Sequence, residues 1–510
     1  MPNYTTLTEL LASGADTAPA IGAPGRDAIT YAGLRALAEA TVARLNELGI
    51  GRDDRVAIVL PNSPEMASAF VTIGCAATTA PLNPAYREEE FDFYLDDLNA
   101  KALVVEKGSE SPALAVAQRR KIPVLTLVTD ETGPAGNFSL EGAGTGSAAA
   151  SGGPAQPDDV ALVLHTSGTT SRPKIVPLTQ RNVTASAKHI GASLKLVPED
   201  RCLNIMPLFH IHGLIAAVLS SLAAGASVHC APGFNALRVF NWLDEVEPSW
   251  YTAVPTMHQA ILSRASRNPE SLARARKNLR LVRSSSSSLP PQVMAELEKT
   301  FDAPVVEAYG MTEAAHQMAC NPLPPAARKP GSVGIAAGPE VRIMDENGPQ
   351  LLSVGEIGEI VIRGPNVTPG YENNPEANAT AFTDGWFRTG DQGTMDNEGY
   401  ISITGRLKEI INRGGEKISP REVDEILMDH PAVAQAVTFA MPHAKLGEEV
   451  AAAIVLREGQ SAEESEVREF VAKHLADFKV PRKVLILDEI PKGATGKLQR
   501  IGLAEKLGLA

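Results

Sequence analysis

The chain has 510 residues, 44% of them hydrophobic and 21% charged, and carries a formal net charge of −13. This length exceeds the usual range for one domain and allows large cores, so two or more domains are expected. The acidic balance argues against nucleic-acid or anionic-membrane binding, which needs a basic footprint, so a site for a polyanion must be a local positive pocket.

In chain order, Met1 to Gly14 lacks the basic and apolar regions of a secretory signal. Leu34, Leu37, Leu45 and Leu48 mark one face of a helix that Gly49 can end, and Arg55 to Leu60 reads as a buried strand. Further short apolar runs at Ala102 to Val105, Val124 to Val128 and Val160 to Leu164, separated by helical patterns, predict a layered α/β architecture with much parallel sheet. Gly142 to Pro157, almost all Gly, Ala, Ser, Thr and Pro, reads as a mobile surface loop.

Directly after the Val160 to Leu164 run comes a loop rich in hydroxyls and containing Thr166, Ser167, Gly168, Thr169, Thr170 and Lys174. Backbone N–H, hydroxyl and ammonium donors on one flexible loop suit a nucleotide triphosphate, whose oxygens must be met from several directions. The lysine follows Pro173 and precedes Ile175, so the loop is not a Walker A motif, which ends Gly-Lys-Ser/Thr. Alone it could be a solvated polar turn. The apolar stretch Leu214 to Ala226 is too short and too serine-interrupted to span a bilayer.

Past it lie Ser284 to Ser288, between a strand-like Leu279 to Val282 and a helix after Pro290, then Glu307-Ala308-Tyr309-Gly310-Met311-Thr312-Glu313, and Thr389-Gly390-Asp391 in a turn. Arg406 to Glu409 marks the expected domain boundary. Beyond it, Ser419-Pro420-Arg421-Glu422 and Ser461 with Glu464 read as helix-starting capping boxes, and Ala451 to Leu456 and Val484 to Leu487 as strands, giving an α+β unit of about a hundred residues. Pro491 to Lys497 is a glycine-flanked lysine loop. The four cysteines, Cys75, Cys202, Cys230 and Cys320, have neither disulfide nor zinc spacing, and the chain does not end in Ser-Lys-Leu, so a cytoplasmic protein is expected.

In this order and over nearly the whole chain, these motifs resemble the adenylate-forming superfamily of acyl-CoA synthetases. The resemblance implies a large N-terminal domain over 1–405 built of α/β subdomains, a hinge at 406–409 and a small mobile C-terminal lid over 410–510. It implies a carboxylic acid, ATP, Mg2+ and coenzyme A as reactants, in a monomer or homodimer. On that footing Thr166 to Lys174 would hold the β- and γ-phosphates, Thr312 and Glu313 would serve the α-phosphate, and Glu313 the metal, since a hard cation takes a carboxylate plus phosphate oxygens. Glu307, Ala308 and Tyr309 would help form the adenine pocket, while Asp391 and Arg406 would hold the ribose. Lys497 would reach the reacting oxygens during adenylation, Lys408 is the hinge residue, and Gly414 and Gly415 would line the coenzyme A tunnel, although paired glycines equally suit a helix-ending turn.

Around the acyl group the sequence offers His210, Ser286 of the serine run, and His316, donors that suit a small anionic acid better than a fatty chain. Pro207 to Gly213, the serine run, Glu313 to His316 and Ile411 to Pro420 resemble the oxalate-CoA ligases more than fatty-acid or coumarate ligases. The competing expectations are a short- or medium-chain fatty or aromatic acyl-CoA ligase, a non-catalytic binder of acyl groups or adenylates, and an adenylation domain serving a carrier protein. His210 and His212 lack the further ligands that a metal pair would need.

Overall fold

Two broad sheets, each with a mostly parallel centre, carry the first half of the chain in the computed structural model, which describes residues 4–130, 132–142, 148–166, 173–492 and 498–510. One has seven strands, in the order Phe138–Glu141, Val124–Thr129, Ala102–Glu106, Arg55–Val59, Thr78–Pro81, Val160–Thr166 and Lys174–Thr179. Its central strands are parallel, and those at Arg55–Val59 and Ala102–Glu106 are mostly Val, Ile, Leu and Ala because both faces are covered. The second has nine strands; its centre runs Ser227–Cys230, Arg201–Asn204, Trp250–Ala253, Leu281–Ser285 and Val305–Met311 in parallel, and the chain then turns back through His316–Cys320.

Between these sheets lies the helix Pro64–Gly74, buried at every position, with Ser63 accepting from the Met66 N–H and Pro64 opening the first turn. The leucine face expected near the amino end is the helix Tyr31–Glu47; Leu34, Leu37 and Leu45 are buried, Leu48 caps its end, and Gly49 follows at a φ of 80°. The described part of the Gly142 to Pro157 segment is tied to the body, with Arg52 N donating to Ser151 O at 2.9 Å and Ala155 N to Cys75 O at 2.8 Å.

The apolar stretch after His210 adopts a π-helix over His212–Leu219, followed by the α-turn Ser220–Ala223, all of it buried. No described helix is long and apolar enough to cross a membrane. A third, antiparallel sheet pairs Glu340–Met344, Gly358–Arg363, Trp386–Met395 and Ile401–Arg406. Here one expectation changes: Thr389, Gly390 and Asp391 are not a turn but the middle of a ten-residue strand, in which a register shift opposite Glu359 to Val361 and a Gly390 φ of 73° re-aim Asp391.

The chain leaves this sheet at Arg406 and enters a unit with its own core of Ile411, Ile418, Val423, Leu427 and Val450. Its sheet contains Glu416–Ile418, Ile411–Arg413, Gly447–Leu456 and Val433–His443, with Lys483–Ile486 parallel to Gly447–Leu456. Ser419 caps Pro420–Asp429 as expected, but the Glu422 carboxylate turns to Lys479, at 2.7 and 2.8 Å, instead of completing a capping box. The second box is shifted: helix Glu464–Ala472 is capped by Glu463 with Glu466, because the Glu464 carboxylate accepts from Lys483 and from Val484 N. The layered α/β body with a small α+β carboxyl-terminal unit is the architecture expected from the pattern of elements.

Candidate active site

A cleft of about 1850 Å³ opens where the two parallel sheets, the third sheet and the carboxyl-terminal unit meet. Strand ends supply it. Thr166 and Lys174 face each other across the last pair of the seven-stranded sheet, and both line the cleft; Ser167, Gly168, Thr169 and Thr170 lie outside the described residues. The Lys174 ammonium sits 4.3 Å from the centre of the Tyr371 ring, and the Tyr371 hydroxyl donates to Glu313 Oε1 at 2.8 Å. Ammonium, ring and carboxylate therefore form one chain on the cleft wall.

Glu313 belongs to a short 3₁₀ turn, Thr312–Ala314, that ends the strand Val305–Met311, and its carbonyl is pinned by Thr368 N at 2.7 Å. Burial pushes its carboxyl above the usual range, opposed by the Tyr371 hydroxyl and by the charges of Arg406 and Lys174. A single carboxylate beside Thr312 fits a magnesium ion that takes most of its ligands from phosphate oxygens and water, since that ion keeps few protein ligands. Among the described residues, no group of three or more His, Cys, Asp or Glu side chains could hold a metal on its own.

The same strand brings Glu307, Ala308 and Tyr309 into the cleft. The Tyr309 hydroxyl donates to Asp391 Oδ2, and Arg406 Nε donates to Asp391 Oδ1 at 3.1 Å across the strand pair that joins the two residues. Asp391 is thus held in place by one neutral and one charged donor, and the Asp391 charge in turn holds the Arg406 guanidinium above its usual value. Glu307 is nearly inaccessible; Oε1 accepts from Leu289 N at 3.0 Å, Oε2 has no partner among the described residues, and burial pushes the acid up to about 7.

At the inner end, His210 and Ser286 to Ser288 line the cleft. The strand Leu281–Ser285 stops there, and Ser286 adopts a φ of 73° that turns its side chain out of the strand direction. Its Oγ lies 3.0 Å from His212 Nδ1. His316 is placed differently from the expectation that it faces the acid: it is 1% exposed, sits behind the cleft wall, stacks on His212 with ring centres 5.0 Å apart, and lies 3.2 Å from Arg283 Nη2. Ala315 and His316 both have positive φ, 47° and 97°.

Arg283 and Tyr371 were not singled out in the sequence, and His212 was weighed only as half of a metal pair. Arg283 had a signal, a cation set in the apolar run Leu281-Val282 just before the serines; Tyr371 had none. Lys408 lines the cleft at the point of exit to the carboxyl-terminal unit. Gly414 and Gly415 do not line it. They form the two-residue turn of the hairpin Ile411–Arg413 and Glu416–Ile418, with φ of 61° and 102°, which corrects the alternative of a helix-ending turn. Lys497 lies outside the described residues.

The AMP-binding enzyme family profile matches residues 12–372, and that of the AMP-binding enzyme C-terminal domain matches residues 422–497. The chain belongs to the AMP-binding enzyme family. Within this family it is 46% identical to an oxalate–CoA ligase of Arabidopsis thaliana over 503 residues, 97% of each chain. It is 44% identical to an oxalate–CoA ligase of Saccharomyces cerevisiae over 89% of this chain and 87% of that one. Among solved structures, ATP-bound MatB from Rhodopseudomonas palustris superposes with a TM-score of 0.86 at 30% identity, over 98% of both chains. The cleft described above is therefore found in a fold that binds ATP in a solved relative.

Proposed function

We propose that this AMP-binding enzyme is an acid–thiol ligase that activates oxalate with ATP and passes the oxalyl group to coenzyme A. The observation that carries the reading is the convergence in one cleft of Thr166, Lys174, Thr312, Glu313, Asp391 and Arg406 with a donor-lined inner end at His210 and Ser286. The identity to two oxalate–CoA ligases supports the choice of acid.

In the first step an oxalate oxygen attacks the α-phosphorus of ATP, and the bond to the β-phosphate breaks with its electron pair leaving on pyrophosphate. The protein has little covalent work to do; it must neutralise charge, align the carboxylate and exclude water. Lys174 and Thr166, with Ser167, Gly168, Thr169 and Thr170, hold the β- and γ-phosphates. Thr312 meets the α-phosphate and Glu313 is the metal ligand. Magnesium, when bound, shields the triphosphate charge. Glu307, Ala308 and Tyr309 flank adenine, and Asp391 with Arg406 receives the ribose hydroxyls. Lys497 brings an ammonium to the reacting oxygens, a contact whose loss costs about 3 to 4 kcal/mol of barrier.

Oxalate has a second carboxylate directly bonded to the first, so that charge must be held within a few ångströms of the reaction. His210 and Ser286 face that space, and His316 stands behind it. In the second step the coenzyme A thiol attacks the mixed anhydride, a C–S bond forms and AMP leaves. The four cysteines are all buried, so the nucleophile is coenzyme A's own sulfur. The lid over 410–510 turns about Lys408 in the segment 406–409 between the steps and presents Gly414 and Gly415 to the pantetheine arm against the body over 1–405.

The test is pyrophosphate release with ATP, magnesium and coenzyme A across oxalate, malonate, acetate, octanoate and 4-coumarate. Turnover concentrated on oxalate is expected. A preference for octanoate or coumarate would discard the acid and keep the ligase; silence with every acid would discard both.

A further inference from the structure

Arg283 sits in the middle of the buried strand Leu281–Ser285 and is 0% exposed. Among the described residues, no carboxylate pairs with it. Nη2 donates to His316 Nε2 and Gln317 Oε1, both at 3.2 Å; Nη1 donates to Thr252 Oγ1 at 3.4 Å and faces His212 Nε2 at 3.5 Å; Nε has no partner among the described residues. Burial pushes the guanidinium down to about 10, which leaves it cationic at neutral pH. A buried charge held only by neutral groups is costly, and an apolar residue of similar volume would serve packing better. The arrangement therefore points to an anion that is not part of the protein.

The cation also dictates the direction of the hydrogen bonds around it. A guanidinium N–H cannot be met by another N–H, so the nitrogens of His316 and His212 that face it are acceptors. Thr252 Oγ1 is 2.6 Å from His212 Nε2 and donates to the same nitrogen. The His212 proton is then on Nδ1, which is 3.0 Å from Ser286 Oγ. With its oxygen accepting from His212, Ser286 has its own hydroxyl proton left to donate, and Ser286 lines the cleft. The strained backbone at Ser286, φ 73°, is the kind of outlier that a fold retains where a side chain must be aimed.

We infer that Arg283 is a specificity-determining positioning residue: acting through His212 it turns the Ser286 hydroxyl into a donor aimed at the inner end of the cleft, and its charge selects acids that carry a second anionic group. The inference rests on the ligase reading above, but not on the choice of oxalate.

The experiment measures kcat and KM for oxalate, malonate, sulfoacetate and acetate, and KM for ATP, in the wild type and in Arg283→Gln, Arg283→Lys and Ser286→Ala. Arg283→Gln and Ser286→Ala are expected to lower kcat/KM for the acids with two anionic groups by about 10- to 100-fold, the range for a lost hydrogen bond to a charged group, with KM for ATP unchanged. The preference over acetate falls in both, and Arg283→Lys, which keeps the charge, retains part of it. The inference is overturned if Ser286→Ala leaves those acids unaffected, or if Arg283→Gln depresses acetate and dianions by the same factor, as a purely structural role would. Should Arg283→Gln fail to fold, Ser286→Ala decides. A wild type that uses malonate or sulfoacetate but not oxalate sinks the oxalate reading alone; one that uses only monoacids, or none, sinks the inference as well.

Discussion

Glu307 shows how much one side chain's surroundings matter. Its carboxyl is pushed up to about 7 from an ordinary value of 4.5, chiefly by burial, with Arg421 opposing. The folded protein therefore keeps a proton that the unfolded chain loses, and the stabilising contribution is complete below about pH 4.5 and is lost as pH rises through about 7. Glu307→Gln removes this dependence while leaving an acceptor for Leu289 N. The thermal midpoint of the variant relative to the wild type should rise between pH 5 and pH 8, as read by calorimetry; a difference that does not move with pH would mean that Glu307 titrates normally. The same scale explains why Arg283 was missed. A charged residue in a short strand reads as solvent-facing, and only the neighbours brought by Trp250–Ala253 and His316–Cys320 show it to be enclosed.

At the scale of elements, the strand pair Val305–Met311 and His316–Cys320 does most to shape the site. It carries the adenine-side residues on one arm and His316 on the other, and the close turn between them needs Gly310: a Cβ there would stand 1.9 Å from His316 O, a backbone atom that cannot swing away. Gly310→Ala should cost about 3 kcal/mol or more, at or beyond the upper range for overpacking, and should lower the denaturant midpoint. A variant of unchanged stability would show that this hairpin can relax. Elements with a strong period or an apolar run, such as Tyr31–Glu47 and Val160–Thr166, were legible in the sequence. The bulged strand through Asp391 was not, because Thr-Gly-Asp has the composition of a turn and the partners that hold it extended, Gly358–Arg363 and Ile401–Arg406, are far along the chain. The capping pattern at Ser461 misled for a related reason: three acidic residues follow within five positions, and Lys483, distant in sequence, decides which of them is free to cap.

For the whole molecule, the proposed two-step mechanism depends on the relation between the body and the carboxyl-terminal unit. In the present arrangement Gln259 Nε2 donates to Ala434 O at 3.1 Å, Lys417 pairs with Glu346 at 3.2 Å, Arg421 Nη1 donates to Ile403 O at 2.8 Å, and Arg500 reaches Glu409 at 3.4 Å. Polar contacts of this kind suit the rotation proposed above. Lys408→Pro, which fixes φ at the proposed hinge, should leave ATP–pyrophosphate exchange within about threefold of the wild type and slow thioester formation by about 100-fold or more. Equal loss in both partial reactions would place the pivot elsewhere or deny the rotation.

By itself the sequence determined the class of fold, and it named several residues that line the cleft, Thr166, Lys174, Glu307, Tyr309, Glu313, Asp391 and Arg406 among them, because these depend on local runs, periods and motif order. Tertiary structure alone decided that His316 is buried behind the cleft wall and that Arg283 is a buried cation with no counter-charge among the described residues. Each depends on which strands are neighbours. Burial and hydrogen-bond partners are properties of that neighbourhood, set by contacts between residues tens to hundreds of positions apart, and no window of sequence contains them.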